Sequence, residues 1–271
     1  MVRPTPPIYP GVTIEERSGR MTYGARAGTD LYRRRLYESY VTARGRELAP
    51  STVHGLQPRA AQLTKLIRSH FPPDRNAAIV DLGCGHGALI HFARVAGYRN
   101  IVGVDRSPQQ VEAAQRLGLQ AVRQGDLREA ISSTAESSLD AVVTFDVIEH
   151  LHKDELTGFI DEVLRVLRAG GRWIIHAPNG ESPLCSRLRY GDWTHETAFT
   201  RESMSQLLLS SGFARVKCYE DGPVAHGATS AIRWVLWKLI RTGLRLWLAI
   251  ETGDKAGDAI FTQNLFAIAE K

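Results

Sequence analysis

The chain has 271 residues, 43% of them hydrophobic and 23% charged, with a net charge of +5 at pH 7. This is the composition of a soluble globular protein, long enough for one generous domain or a domain with additions. The mild basic excess does not call for nucleic acid. Cys84, Cys185 and Cys218 form no CxxC pair and no even disulfide framework, which fits a reducing cytosol. The Pro-rich N-terminus is not a signal peptide, and no apolar run is long enough to span a bilayer.

In chain order, residues 1–75 read as an N-terminal arm and helical cap. Residues 1–29, with Pro4, Pro6, Pro7 and Pro10, form an irregular arm. Asp30 caps an expected helix over 31–44, whose cluster Arg33–Arg35 reads as a solvated face. Residues 45–56 read as loop. Pro58 opens a second helix over 59–71, with Ala60, Leu63, Leu66 and Ile67 on one stripe, ended by Pro72 and Pro73.

Residues 76–271 then alternate regularly. Strands are expected at 78–82, 100–105, 121–124, 139–146, 172–177, 214–220 and 260–269. Helices are expected at 88–96, 109–117, 153–167 and 201–211, with a turn at Ala169-Gly170-Gly171 before the fifth strand. Strands alternating with helices imply a doubly wound, mostly parallel seven-stranded α/β sheet, with ligands at the carboxyl ends of the strands.

The first strand runs into Asp81-Leu82-Gly83-Cys84-Gly85-His86-Gly87 and a helix. Glycine allows positive φ and lets backbone approach a ligand with no Cβ in the way, and N–H groups at a helix start favour an electron-rich ligand. As Gly83-x-Gly85-x-x-Ala88 the turn also fits a dinucleotide fingerprint. A nucleoside site needs an acid about 20 residues on to hold ribose hydroxyls, and Asp105 closes the second strand there.

Taken with Gly125-Asp126-Leu127, Phe145-Asp146-Val147-Ile148-Glu149-His150 and the segment from Leu164 to Gly171, this pattern resembles the class I S-adenosylmethionine-dependent methyltransferases. The resemblance covers about residues 76–220, and the last strand extends it. It implies a Rossmann-like methyltransferase fold with S-adenosyl-L-methionine as cofactor. It implies that Asp81 and the backbone of Gly83 and Gly85, within a turn that also includes Cys84 and Gly87, hold the amino-acid part. Asp105, followed by Arg106, would take the ribose. Asp126 with Leu127 would meet the adenine, unless Asp126 is only a loop cap. Phe145 and Asp146 would border the methionine moiety.

Methyl transfer to an alcohol also needs a general base. His195, in Gly191-Asp192-Trp193-Thr194-His195-Glu196 between the fifth strand and the next helix, is the first choice. His150 is second; His176 and His152 are weaker, and each has the plainer reading of a hydrogen-bonded core histidine or helix cap. A metal site from Asp146, Glu149, His150 and His152 is conceivable, but no tight ligand motif is present and none is expected.

Residues 221–259 are a helical insert before the last strand. Its centre, 231–250, places Arg233, Lys238, Arg241 and Arg245 on one side and Leu236, Leu239, Ile240, Leu246 and Ile250 largely opposite. The first expectation is packing on the protein's own core or a dimer mate; the second is a basic helix on a membrane surface. Pro178-Asn179-Gly180, the segment from Asp192 to Thr200, and Glu251-Thr252-Gly253 resemble methyltransferases of bacterial surface-polysaccharide biosynthesis. That resemblance implies a sugar or glycan hydroxyl as acceptor, lipid-linked sugars included, and a cytoplasmic enzyme peripheral at the inner membrane face. The alternatives are a quinone-precursor-like small-molecule O-methyltransferase and a non-catalytic cofactor-binding subunit.

Overall fold

The computed structural model describes residues 49–253 and 257–271. The expected arm, the helix over 31–44 with its Arg33–Arg35 cluster, and residues 45–48 of the expected loop fall outside the described residues.

The elements are α1 (Ala60–His70), β1 (Ile79–Leu82), α2 (Ala88–Val95), β2 (Ile101–Asp105), α3 (Pro108–Arg116), β3 (Val122–Gln124), α4 (Leu127–Ser132), β4 (Leu139–Phe145), α5 (Lys153–Val166), β5 (Leu167–Pro178), α6 (Cys185–Arg189), α7 (Arg201–Ser210), β6 (Arg215–Glu220), α8 (Ala228–Thr252) and β7 (Asn264–Glu270). The seven strands form one sheet in the order β3-β2-β1-β4-β5-β7-β6. β7 runs antiparallel to β5 and β6, and the other pairings are parallel. This is the mostly parallel, doubly wound sheet expected from the alternation.

The two-residue period of the strands sorts the core onto two faces. Ile79, Ile101, Ala141, Val143 and Ile174 meet Leu63 and Ile67 of α1, Ile90 and Ala93 of α2, and Ala114 of α3. Val80, Leu82, Val142, Trp173 and Ile175 meet Ile131 of α4, Phe159, Ile160 and Val163 of α5, and Met204 and Leu208 of α7. Trp173 is fully buried, and its indole N–H donates to Thr144 Oγ1 at 3.0 Å, so its one polar atom is satisfied.

Several expectations need correction. Pro58 does not open α1; it lies inside a 3-10 turn, Val53–Arg59, and the α-helix starts at Ala60. Ala169-Gly170-Gly171 is not a turn before β5 but part of that strand, where the pairing with β4 shifts register between Leu139 and Ala141; Gly170 takes φ +75° at this bulge. β7 begins at Asn264, later than expected, because Ile260 and Thr262 give their carbonyls to the Asn179 side chain rather than to a neighbouring strand. Two short helices, α4 and α6, were not expected.

The insert is a single 25-residue helix, α8. It does not pack on the protein's own core as first expected. Ser230 is its one buried residue, while Ile232, Val235, Leu236, Leu239, Ile240, Leu246, Trp247 and Ile250 are all exposed. Its inner side is held by Arg241 to Glu220 at 2.5 Å and by Arg245 to the Gly257 carbonyl at 2.8 Å. Among the described residues no helix is long and apolar enough to cross a membrane.

Candidate active site

The carboxyl ends of β1, β2 and β4 converge on the glycine turn. Gly83, Gly85 and Gly87 all have positive φ, at +74°, +56° and +80°. A Cβ on Gly83 would lie 2.5 Å from Val147 Cγ2, so this position needs glycine for space as well as conformation. A Cβ on Gly85 would meet only the far end of Gln110, at 3.8 Å, so its surface is open.

The turn's own N–H groups are directed inward. Those of Gly83 and Cys84 donate to the Val104 carbonyl at 2.8 and 3.2 Å, that of Gly87 to the Cys84 carbonyl at 3.0 Å, and that of Gly85 to Asp105 Oδ2 at 2.8 Å. These four N–H groups are therefore engaged within the protein, and the open feature of the turn is the bare backbone at Gly85. The Cys84 thiol packs against Gly103, and burial pushes its pKa far up, which makes it an inert filler.

Asp81 is 1% exposed, and its Oδ1 has no hydrogen-bond partner. Burial, then the neighbouring Asp105 charge, raise its pKa to about 7 against the opposing pull of Arg59. Asp105 accepts from Gly85 with one oxygen and from the Ser107 N–H, at 2.9 Å, with the other. Each oxygen retains a second lone pair for hydroxyl donors. Burial raises its pKa, and these two backbone bonds oppose the rise. Arg106, next in sequence, is exposed.

Asp126 is a helix cap: its Oδ1 accepts from Arg128 and Glu129 N–H groups at 2.8 and 3.4 Å and starts α4, the helix that carries Leu127. That work occupies one of its two oxygens.

At the end of β4, Asp146 has φ +57°, and its Oδ1 lies 2.6 Å from His176 Nδ1. His176 is buried, stacks on Phe145 with ring centroids 3.9 Å apart, and places Nε2 3.2 Å from Asp221 Oδ2. Asp221 in turn accepts from Gln62 Nε2 at 2.7 and 2.8 Å. Burial alone would lower the His176 pKa, but Asp146 and Asp221 outweigh it and raise the pKa to about 9. His176 is thus an imidazolium strut between two carboxylates and not a proton acceptor. Arg59 lies over the Phe145 ring at 4.9 Å.

The far side of the site is built on Glu149, whose carbonyl accepts the N–H groups of Glu196 and Thr197 at 2.7 and 3.3 Å and so ties the 179–199 loop to the end of β4. This brings His195 beside His150, with ring centroids 4.7 Å apart. Burial, then the facing His195, lower the His150 pKa to about 4. Glu149 is fully buried, and neither of its carboxylate oxygens has a hydrogen-bond partner. Burial, then Asp146, push its pKa well up. His152 is directed elsewhere, with Nδ1 3.3 Å from Glu196 Oε2.

The structure thus gathers Asp81, Gly83, Cys84, Gly85, Gly87, Asp105, Phe145 and Asp146 on one edge and His150 with His195 on the other. Sequence reasoning missed Arg59, Gln62 and Asp221, which act through distant partners and sit in no recognisable motif, and it quoted Asp192 and Thr194 only as neighbours of His195. Glu149 stood inside a quoted motif, but nothing local marks its carboxylate as buried and unpaired.

Residues 79–171 match the family model described as a methyltransferase domain. The chain is 31% identical over 152 residues to a probable S-adenosylmethionine-dependent methyltransferase of Mycolicibacterium smegmatis, covering 55% of this chain and 56% of that protein. It is 26% identical over 146 residues to the O-methyltransferase resE of Aspergillus sclerotiorum, covering 49% and 54%. The chain spans about half the length of these curated relatives. A SAM-dependent methyltransferase from Archaeoglobus fulgidus shares the fold with a TM-score of 0.59 and 20% identity, over 80% of this chain and 94% of that one. Residues 79–171 are thus similar to a methyltransferase domain, and the sheet around them has the Rossmann-like fold of a protein that uses S-adenosylmethionine. The residues fit that cofactor. The unpartnered Asp81 oxygen suits an ammonium, the remaining lone pairs of Asp105 suit ribose hydroxyls, and the open face of Gly85 suits close approach.

Proposed function

We propose that the chain is an O-methyltransferase acting on a hydroxyl of a sugar or glycan intermediate. The observation that carries this reading is the cluster of Glu149, His150 and His195 across from the cofactor edge, a set of basic lone pairs suited to taking a hydroxyl proton. When bound, S-adenosylmethionine supplies a methyl group already activated by a sulfonium. The chain has then to orient the acceptor oxygen, exclude water and receive the proton, and alignment of this kind supplies on the order of 7–11 kcal/mol in favourable cases.

The glycan assignment is supported by the resemblance of the 192–200 segment to surface-polysaccharide enzymes and by Trp193 and Tyr190. These rings are 83% and 76% exposed on the loop that carries His195, and apolar sugar faces pack on such rings. The test is methyl transfer from labelled cofactor into polysaccharide-precursor pools, with Trp193→Ala as the probe. A higher KM for glycan at unchanged cofactor affinity supports the reading, and inert glycan pools contradict it. A second reading, methylation of a quinone-precursor-like small molecule, is favoured by the rings of Phe145, His176 and Phe266 at the end of β4 and predicts turnover of such aromatics instead. Cofactor binding with no transfer to any pool would point to a non-catalytic subunit.

The same proposal places α8 on an anionic membrane surface at the inner face, beside lipid-linked sugars. Its outward stripe is apolar, and the exposed cations Arg233 and Lys238 flank it. Co-sedimentation with anionic but not neutral vesicles is expected. A stable dimer without vesicle binding would assign the stripe to a second copy instead.

A further inference from the structure

Glu149, His150 and His195 bring one ligand-type atom each to within 4.8 Å of the others. Their hydrogen bonds at Nδ1 leave Nε2 as the nitrogen of each neutral imidazole that can ligate. His195 Nδ1 lies 2.9 Å from the Leu188 carbonyl, which can only accept. Nδ1 therefore carries the proton, and Nε2 keeps a lone pair. The Thr194 hydroxyl has one proton, which it gives to Asp192 Oδ1 at 2.6 Å. Toward His150 Nδ1, 2.9 Å away, that hydroxyl must accept. His150 is fixed in the same tautomer, again with its lone pair on Nε2.

In this way a carbonyl orients one imidazole and a carboxylate–hydroxyl relay the other, which is how protein frameworks hold metal-ligating histidines. The third group, Glu149, is fully buried with both oxygens unpartnered, a state that a carboxylate keeps only if it is neutralised or paired with a cation. Asp192 Oδ2 stands 4.0 Å from His195 Nε2 on the same side.

We infer that Glu149, His150 and His195 bind a divalent first-row transition-metal cation through one carboxylate and two imidazole Nε2 atoms. Two imidazoles and one carboxylate suit such ions better than Mg²⁺ or Ca²⁺, and three protein ligands leave positions open. The binding stands on the geometry alone. Its chemical use rests on the proposed O-methyl transfer: a cation-held hydroxyl would give up its proton to solvent more readily, with the histidine lone pairs on the cation and not on that proton.

The test uses the full chain, stripped with EDTA and titrated with Co²⁺, reading both the visible ligand-field bands and the stoichiometry. One equivalent of cobalt per chain is expected. Thr194→Val, which frees His150 to turn, should weaken binding about 10- to 100-fold. The near-isosteric Glu149→Gln should weaken it further, and His91→Ala should leave it unchanged. Circular dichroism confirms that each variant folds. The absence of saturable one-equivalent binding, or equal affinity in Glu149→Gln, overturns the inference and leaves Glu149 as a buried neutral acid. Cobalt binding with no glycan methylation keeps the cation site and removes the acceptor assignment. Methyl transfer unaffected by EDTA in a chain that binds no cobalt removes the site and keeps the reaction.

Discussion

The cofactor edge and the acceptor side face each other across the same strand ends, yet they are assembled differently. On the cofactor edge, Asp81, Gly83, Gly85 and Gly87 lie within seven consecutive residues, and Asp105 reaches back to the Gly85 N–H. The geometry there is set by backbone: positive φ, carbonyls, and carboxylates held by N–H groups. On the acceptor side, Glu149 and His150 meet His195 only because the 179–199 loop folds back onto the Glu149 carbonyl. The struts beyond it, Asp146–His176–Asp221–Gln62, come from four separated segments. A site for a shared cofactor is written into the main chain, whereas a site for a particular acceptor is written into side chains that meet through tertiary packing.

The largest effect should come from disturbing the backbone-built edge. Gly83→Ala forces a Cβ onto Val147 at φ +74°, a strain of about 1–3 kcal/mol. Calorimetry should show cofactor affinity reduced about 10- to 100-fold, since 1.4 kcal/mol is a factor of ten. Asp81→Asn keeps the shape and removes the charge, so cofactor should again bind about 10-fold or more weakly, as expected for a lost charged hydrogen bond of about 1.5–3 kcal/mol. It should also flatten a pH dependence. Because the folded pKa of Asp81 is raised from 3.8 to about 7, the cofactor-free chain favours the protonated acid and loses stability as pH rises through that window. Thermal melts of wild type and Asp81→Asn from pH 4 to 8 check the sign.

The side-chain-built half carries the same sign in a higher pH window. The raised pKa of His176 means that its pairing with Asp146 and Asp221 stabilises the fold fully below pH 6.5 and is lost as pH climbs through about 9. A melting temperature that falls over that range in wild type but not in His176→Gln would bear this out. The smallest effect belongs to α8. Leu239→Glu places a charge on a side chain already 66% exposed, so folding stability should move by no more than about 0.5 kcal/mol while vesicle binding is lost.

The same contrast explains what the sequence made legible. The α/β alternation, the glycine turn and Asp105 are local patterns, and the sheet and cofactor edge follow from them. Asp126 was readable as an acid at a turn with capping as its alternative role, but the helix it caps, α4, was not expected. The amphipathic pattern of α8 marked a helix without saying which face would be covered, because a period of 3.6 residues reports two faces and not their destinations. The lone pairs of His150 and His195 depend on Thr194, Asp192 and Leu188, relations that no spacing reveals.

The most direct test of the account is a paired measurement on wild type and His195→Ala: cofactor affinity by calorimetry, and labelled methyl transfer into sugar-containing precursor pools. The account predicts unchanged cofactor binding, because His195 lies across the site from the backbone-built edge, together with loss of transfer in the variant. Transfer retained by His195→Ala, or cofactor binding lost along with it, would contradict the division of the site into these two halves.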